Sequence, residues 1–520
     1  MRAPRGAGLS CQGWPQEAAL RMLMNSLDSD VAEQPGDLVA CGATGRVLRD
    51  WKGYGKTVEA LKCLKNDETL LIQSGTPAGV LATHPEAPRV LIANSGPSPR
   101  QPISGNPERG RPALPPQASA ASWTCVGTQE ALPTAFLVFE AISRKHFGGD
   151  LAGRLIVSGG MGAAGGALPL AAGLLGAAFL GIDAEGERIH RRIRAGYCDY
   201  CVSSLDEALR ILKNAVRQKQ GISVGLVGNC ADIIPELAGR GVLPDVLTDQ
   251  TSTHNLLHGY VPSGLNAEEA GALRKENPEK YLSRARESLA RHFSGMLALQ
   301  KMGSVVFELG NNLRAAAGEC GAAGAATAFP GFVEAYLQPL LSAGLAPVRW
   351  VALSGEGGDI RRLDDLSLEL FPDDALLARW IPLARRFVRF QGLPARVCWM
   401  GQEARVQMAG RVNTLVTKGA FKAPLVTAVD HAGNNVETSR PAEPENQKER
   451  STAINQLHAP NELLNTAAGA SWLSLELGAG SGQATVALVA DGTPQTAKAI
   501  PRVLQNEWAL KIMRQTPRLK

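Results

Sequence analysis

"LIVSGGMGAAGGALPLAAGLLGAAFLGID", residues Leu155 to Asp183, carries no charge before its last residue. By length alone it is enough to cross a membrane, since about 20 apolar residues span the hydrocarbon core. The order of residue types argues for a different object. "LIV" is a β-branched run suited to a strand, and Gly160, Gly162 and Gly165 follow it in G-x-G-x-x-G spacing. An Ala/Leu stretch then reads as a helix, and a second apolar strand closes on an acid. Pro169, the richness in Gly and Ala and the missing Trp/Tyr belt all oppose a membrane span.

Glycine between a strand and a helix lets the backbone turn sharply and approach a pyrophosphate, while the helix amino terminus favours its negative charge. Asp183 is then placed to accept hydrogen bonds from ribose hydroxyls, which favours NAD over NADP. The stretch therefore predicts a dinucleotide site in a βαβ unit. By itself this fingerprint also fits an ordinary NAD-dependent dehydrogenase.

From about Thr128 to Phe332, strand and helix patterns alternate as they do on a parallel sheet. "ISVGLVGNCADIIPELAGRGVLPDVLTDQTS" predicts a strand over Ile222–Val227, a helix from about Ala231 and a strand over Val246–Thr248. Ligands of such sheets sit at the carboxyl ends of the strands, here near Asn229 and the run Gln250–His254. Upstream, Trp14–Leu27 has helical spacing, and "ETLLIQSG" and "PRVLIANS" read as strands. Downstream, "DDLSLELFPDDALLARWIPLARRFV" is helical, and "ASWLSLEL" and "ATVALVAD" are strand-like. Between Ser95 and Ser122 the chain holds seven prolines and few apolar residues, so no packed core is expected there. Three regions result: 1–127, 128–340 and 341–520.

The 520 residues, 44% hydrophobic and 20% charged, are ordinary for a soluble globular protein. A net charge of +5 without a dense Lys/Arg block gives no reason to expect nucleic acid or an anionic membrane as partner. Nine scattered cysteines, an odd number, argue against a disulfide framework and for a reducing compartment. Cys198 and Cys201 form one C-x-x-C without a second pair, which reads as chance spacing, and no metal is expected. The first ten residues, "MRAPRGAGLS", lack the apolar core of a secretory signal.

Several stretches resemble the urocanate hydratase (urocanase) family. They include "WPQEAALRMLMNSLDSDVAEQP", "NDETLLIQSGTPAGV", "FGGDLAG", "GNCADIIPELAGRGVLPDVLTDQTSTHNLLHGY", "ALSGEGGDI", "FQGLPARVCWMG" and "LLNTAAGASW", in family order from Cys11 to about Gly492. The resemblance implies an α/β fold with a Rossmann-like NAD-binding domain inserted between the N- and C-terminal parts of a mixed α/β core. It implies hydration of urocanate to imidazolonepropionate in histidine catabolism, with tightly bound NAD as an electrophile. A cytoplasmic homodimer is implied as well.

Carried over position by position, the resemblance makes Cys398 the active-site cysteine, in an acid/base or positioning role. Arg349 becomes the partner of the substrate carboxylate, a task its planar fork suits. Gly42, Gln117, Arg188, Asn229, Gln250, Thr251, Ser252, His254 and Tyr260 fall on cofactor positions, as do Gly160 and Gly162 of the fingerprint. Cys230, Thr253 and Val261 fill contact positions with changed residues, and Asp183 replaces a glutamate. Other departures stand out. Ala163, Ala164 and Gly165 replace Gly-Met-Gly, Cys41 and Gly42 replace Gly-Gly, and Leu309 replaces a tyrosine. The glycine loop near the C-terminus is cut to "LELGAGSG". These departures motivate an alternative reading, a weak or inactive homologue that keeps the fold and NAD binding.

Overall fold

The computed structural model describes residues 1–41, 45–95, 122–253, 255–322, 324–430, 458–477 and 483–506. The proline-rich insert and the candidates Gly42, Gln117 and His254 lie outside the described residues.

The opening stretch is a βαβ unit. Leu155–Gly159 is a strand, Gly165–Ala167 a 3-10 turn, Leu168–Leu174 a helix with Pro169 in its first turn, and Ala178–Asp183 a second strand. Proline suits that position because the first helical N–H groups have no partner within the helix. Both strands are central and almost wholly buried, so they have no polar face. That is why the stretch is uncharged. Among the described residues, no helix is long and apolar enough to cross a membrane.

Six parallel strands form one sheet. Their spatial order is Val305–Val306, Val246–Asp249, Leu155–Gly159, Ala178–Asp183, Ser223–Val227, Tyr200–Val202. The first strand in sequence has the second on one side and the fifth on the other, so the strand order reverses beside Leu155–Gly159. Crevices at such reversals are where open α/β sheets bind ligands.

The chain's two ends build a second, eight-stranded mixed sheet. It runs Ala395–Gly401, Leu345–Ala352, Leu425–Asp430, Gln483–Ala490, Trp472–Leu477, Val90–Ser95, Glu68–Gln73, Thr76–Ala82. Trp472–Leu477 pairs in parallel with Val90–Ser95, so strands almost 400 residues apart in the chain share a ladder. The parallel sheet is thus an insertion between two halves of the mixed one. The helix Leu132–His146 touches both the helix Leu168–Leu174 and the strand Ala395–Gly401. One continuous apolar core consequently joins Ile156 and Phe179 to Val348, Trp350 and Trp399.

Candidate functional site

At the carboxyl ends of the parallel strands lies a cavity of about 450 Å³. Its first wall is the glycine turn. Gly160 has φ +77°, and a Cβ there would sit 2.3 Å from the carbonyl oxygen of Gln250. A Cβ on Gly165 would sit 2.0 Å from the carbonyl oxygen of Gly160. Only glycine permits this left-handed turn and this approach of helix to strand. Gly162 has nothing within 4 Å of its Cβ position and opens onto the cavity. Ala163 and Ala164 line it too, and neither has a positive φ, so alanine is held there without backbone strain.

Asp183 closes the turn. One carboxylate oxygen accepts the Met161 N–H at 2.7 Å, and the other accepts the Glu185 N–H at 2.9 Å. Arg188 lies 3.7 Å from Asp183 and pairs with Glu185 at 2.9 Å. Burial pushes the Glu185 carboxyl up from its usual range, against the pull of Arg188. Two further arginines of the same helix, Gly186–Ala195, tie this wall to the N-terminal region. Buried Arg192 donates to the Met161 carbonyl at 3.0 Å and pairs with Glu33. Arg191 donates to the carbonyls of Ser29 and Ala32.

The opposite wall follows the strands Ser223–Val227 and Val246–Asp249. Asn229 caps the helix Cys230–Gly239 by accepting the Ala231 N–H at 2.9 Å, and its amide donates to the Val261 carbonyl at 2.8 Å. Cys230, Gln250, Thr251, Ser252, Tyr260 and Val261 all line the cavity. Thr251 donates its hydroxyl to Asp249 at 2.5 Å, and Gln250 donates to the Leu309 carbonyl. Thr253 is buried beneath this wall and donates to the Asn311 carbonyl, so it is outside the lining.

A second cavity of about 300 Å³ shares Ala163, Ala164 and Gln250 with the first. Arg349 lies in it, buried in the strand Leu345–Ala352. Its guanidinium grips Asp430 with both terminal nitrogens, one of them at 2.9 Å, and also donates to Glu130. Burial works against this charge, but Asp430 and Glu130 hold the guanidinium well above its usual pKa. The Arg349 Nε is buried without a hydrogen-bond partner among the described residues. Leu309 adds an apolar patch to the same cavity.

Cys398 is not brought there. Arg349 pairs across the ladder with Val397, which lines the cavity, so alternation turns Cys398 to the other face of the sheet. The thiol is buried on that face near Trp350, Asp364 and Arg396. Burial, with Asp364 adding to it, pushes its pKa up to about 12. The structure thus places Cys398 and Arg349 on opposite faces of the sheet.

The residues missed by sequence reading are instructive. Arg191 and Arg192 lie three and four positions after the expected Arg188 on the same helix face, and that spacing was a usable signal. Glu130 and Asp430 lie 219 and 81 residues from Arg349 and carry no local signal.

Three family models match the chain: "Urocanase N-terminal domain" over residues 1–100, "Urocanase Rossmann-like domain" over 127–336 and "Urocanase C-terminal domain" over 339–518. The chain belongs to the urocanase family. Membership supports a hydro-lyase acting on urocanate in histidine degradation. The Rossmann-like match coincides with the parallel sheet and its glycine turn, and the C-terminal match contains Arg349, Cys398 and Asp430.

Proposed function

We propose that this chain is a urocanate hydratase that binds NAD in the glycine-turn cavity and urocanate in the adjoining Arg349 cavity. The observation that carries the reading is the shared wall of Ala163, Ala164 and Gln250, which sets the two cavities side by side. The fit to a dinucleotide rests on the glycine cradle: a Cβ at Gly160 or Gly165 would collide with backbone, and open space lies at the Cβ position of Gly162. When bound, NAD supplies an electrophilic pyridinium ring that makes the substrate's imidazole susceptible to attack by water.

The chain's own residues supply position and charge. Arg188, at the rim beside Asp183 and Glu185, offers a cation toward phosphate or ribose. Arg349 offers the substrate carboxylate a charged donor already oriented by Asp430. Val31, Leu168, Leu309 and Phe332 give the second cavity an apolar wall that excludes water from the imidazole faces. Holding two rings in register in this way can supply several kcal/mol of the barrier reduction, roughly 7 to 11 in well-oriented model reactions. The cytoplasmic homodimer belongs to the same reading, and light scattering of the purified protein tests the dimer.

A second reading, a homologue with weak turnover, is favoured by one specific observation: Arg349 already faces two carboxylates. One experiment separates the two. The purified protein is denatured and its released NAD is counted per chain, and the loss of urocanate's ultraviolet absorbance is followed with native protein. NAD with turnover supports the hydratase. NAD without turnover supports the second reading, and neither overturns the cofactor assignment.

A further inference from the structure

Behind the wall of the first cavity, three elements bring three metal-ligating side chains together. Cys230 opens the helix Cys230–Gly239, Asp249 ends the strand Val246–Asp249, and His292 lies in the helix Pro278–Met302. All three are buried, and their donor atoms lie within 4.8 Å of one another. We propose that Cys230, Asp249 and His292 bind one zinc-like divalent cation.

The hydrogen bonding leaves room for a metal at these donor atoms. Among the described residues, Asp249 Oδ1 is buried and has no hydrogen-bond partner. Its other oxygen is fixed by the Thr251 N–H at 3.0 Å, the Thr251 hydroxyl and the Asn311 amide. His292 Nε2 lies 3.6 Å from Asp249 Oδ1, too long for a hydrogen bond. That gap is close to the edge of a tetrahedron with bonds of about 2.0 to 2.2 Å, roughly 3.4 Å. The Cys230 sulfur approaches the Ile182 carbonyl at 3.9 Å and faces the backbone N–H groups of Gly160 and Cys230, weak contacts that a metal bond would replace.

The surroundings also suit a ligand set. The other imidazole nitrogen, Nδ1, is 3.3 Å from the Tyr260 hydroxyl. With Nδ1–H donating to that oxygen, the Nε2 lone pair faces Asp249, the tautomer that a metal requires. Among the described residues, His292 is the only basic group paired with Asp249. A buried carboxylate without a cation is costly. A divalent ion balances one carboxylate and one thiolate, with the thiol proton released on binding. Thiolate, imidazole and carboxylate together suit zinc or cobalt, whereas calcium and magnesium prefer oxygen alone. Cys230 also lines the first cavity, which provides the ion's way in.

The full chain is incubated with zinc, dialysed exhaustively and analysed by mass spectrometry of its metals. Zinc in about one-to-one ratio is expected, lost in Cys230→Ala and in His292→Gln. Cobalt should give a thiolate charge-transfer band in the near ultraviolet that is absent in Cys230→Ala. Circular dichroism checks the fold, and if His292→Gln does not fold, Cys230→Ala decides alone. Wild-type protein that retains neither metal overturns the proposal. So does a metal and band that persist in Cys230→Ala, which would place the ion on another thiol.

Discussion

Replacing Glu130 with glutamine should tighten urocanate binding. Glu130 adds nothing to the apolar wall; its carboxylate occupies a guanidinium nitrogen of Arg349 that, on the proposed reading, the substrate carboxylate needs. Asp430 holds the same guanidinium from its other side and is itself braced by the Thr485 hydroxyl at 2.9 Å. The cavity therefore contains two carboxylates for one cation, and an incoming third must displace Glu130 or lie beside it. Two carboxylates about 4 Å apart repel by about 4 kcal/mol at an effective dielectric of 20. The Glu130 side chain is 33% exposed, so solvent reduces this to about 1 to 2 kcal/mol. The KM of Glu130→Gln should accordingly fall roughly 5- to 30-fold, with kcat little changed. Initial rates against urocanate concentration at fixed pH read it directly, and the difference should shrink as salt is raised. An unchanged or higher KM at normal kcat would refute competition for Arg349. A collapse of kcat at constant KM would also refute it, because Glu130 would then be moving protons.

Arg349→Ala should raise KM sharply and lower kcat/KM by about 2 to 4 kcal/mol, the cost of a lost charged contact, and a normal rate would place the substrate carboxylate elsewhere. Gly160→Ala forces a side chain into φ +77° and toward the Gln250 carbonyl; a stability loss of about 1 to 3 kcal/mol and loss of co-purified NAD are expected, measured by thermal unfolding and NAD release. In the folded protein, iodoacetamide at pH 8 should modify exposed Cys63 and spare Cys398, as peptide mapping would show. Because burial raises the Cys398 pKa to about 12, its protonated form favours the folded state fully below the unfolded thiol's value of about 8.5. That contribution is lost as pH rises toward 12, so Cys398→Ala should flatten the alkaline fall in stability.

The inserted parallel sheet was legible because its strands are buried on both faces and its turns carry glycine and proline, both of which are local signals. The helix Trp14–Asn25 and the strands Glu68–Gln73 and Val90–Ser95 fall where their patterns place them. The hairpin strand Thr76–Ala82 escaped notice: it is an exposed edge containing Pro77 and Gly79, without an apolar face to mark it. Cys398 shows a different limit. A motif supplies the residue's neighbours in sequence, but which face of a strand it occupies depends on the register with Leu345–Ala352, and one step separates Val397 in the cavity from Cys398 behind it. Asp183 shows a third. The acid at the end of the second strand was expected at a ribose, yet its oxygens first satisfy the Met161 and Glu185 amides that shape the turn.

These placements make the topology itself a requirement for the proposed chemistry. The glycine turn belongs to the inserted sheet, with Glu33 and Gln34 of the N-terminal region adding to its cavity, while Arg349 and Asp430 belong to a sheet assembled from both chain ends. Nothing in either sheet alone brings Arg349 to the glycine turn. The contact is made by Glu130, just before the helix Leu132–His146, and by Thr134 in its first turn; this helix crosses from one sheet to the other. The Trp399 indole donates to Thr134 at 3.1 Å, fixing that helix against the strand next to Arg349. Under the proposed reading, a change that loosens this helix should therefore separate binding from turnover: NAD would stay in a cavity built mainly on the parallel sheet, and urocanate would lose the register that the crossing helix supplies.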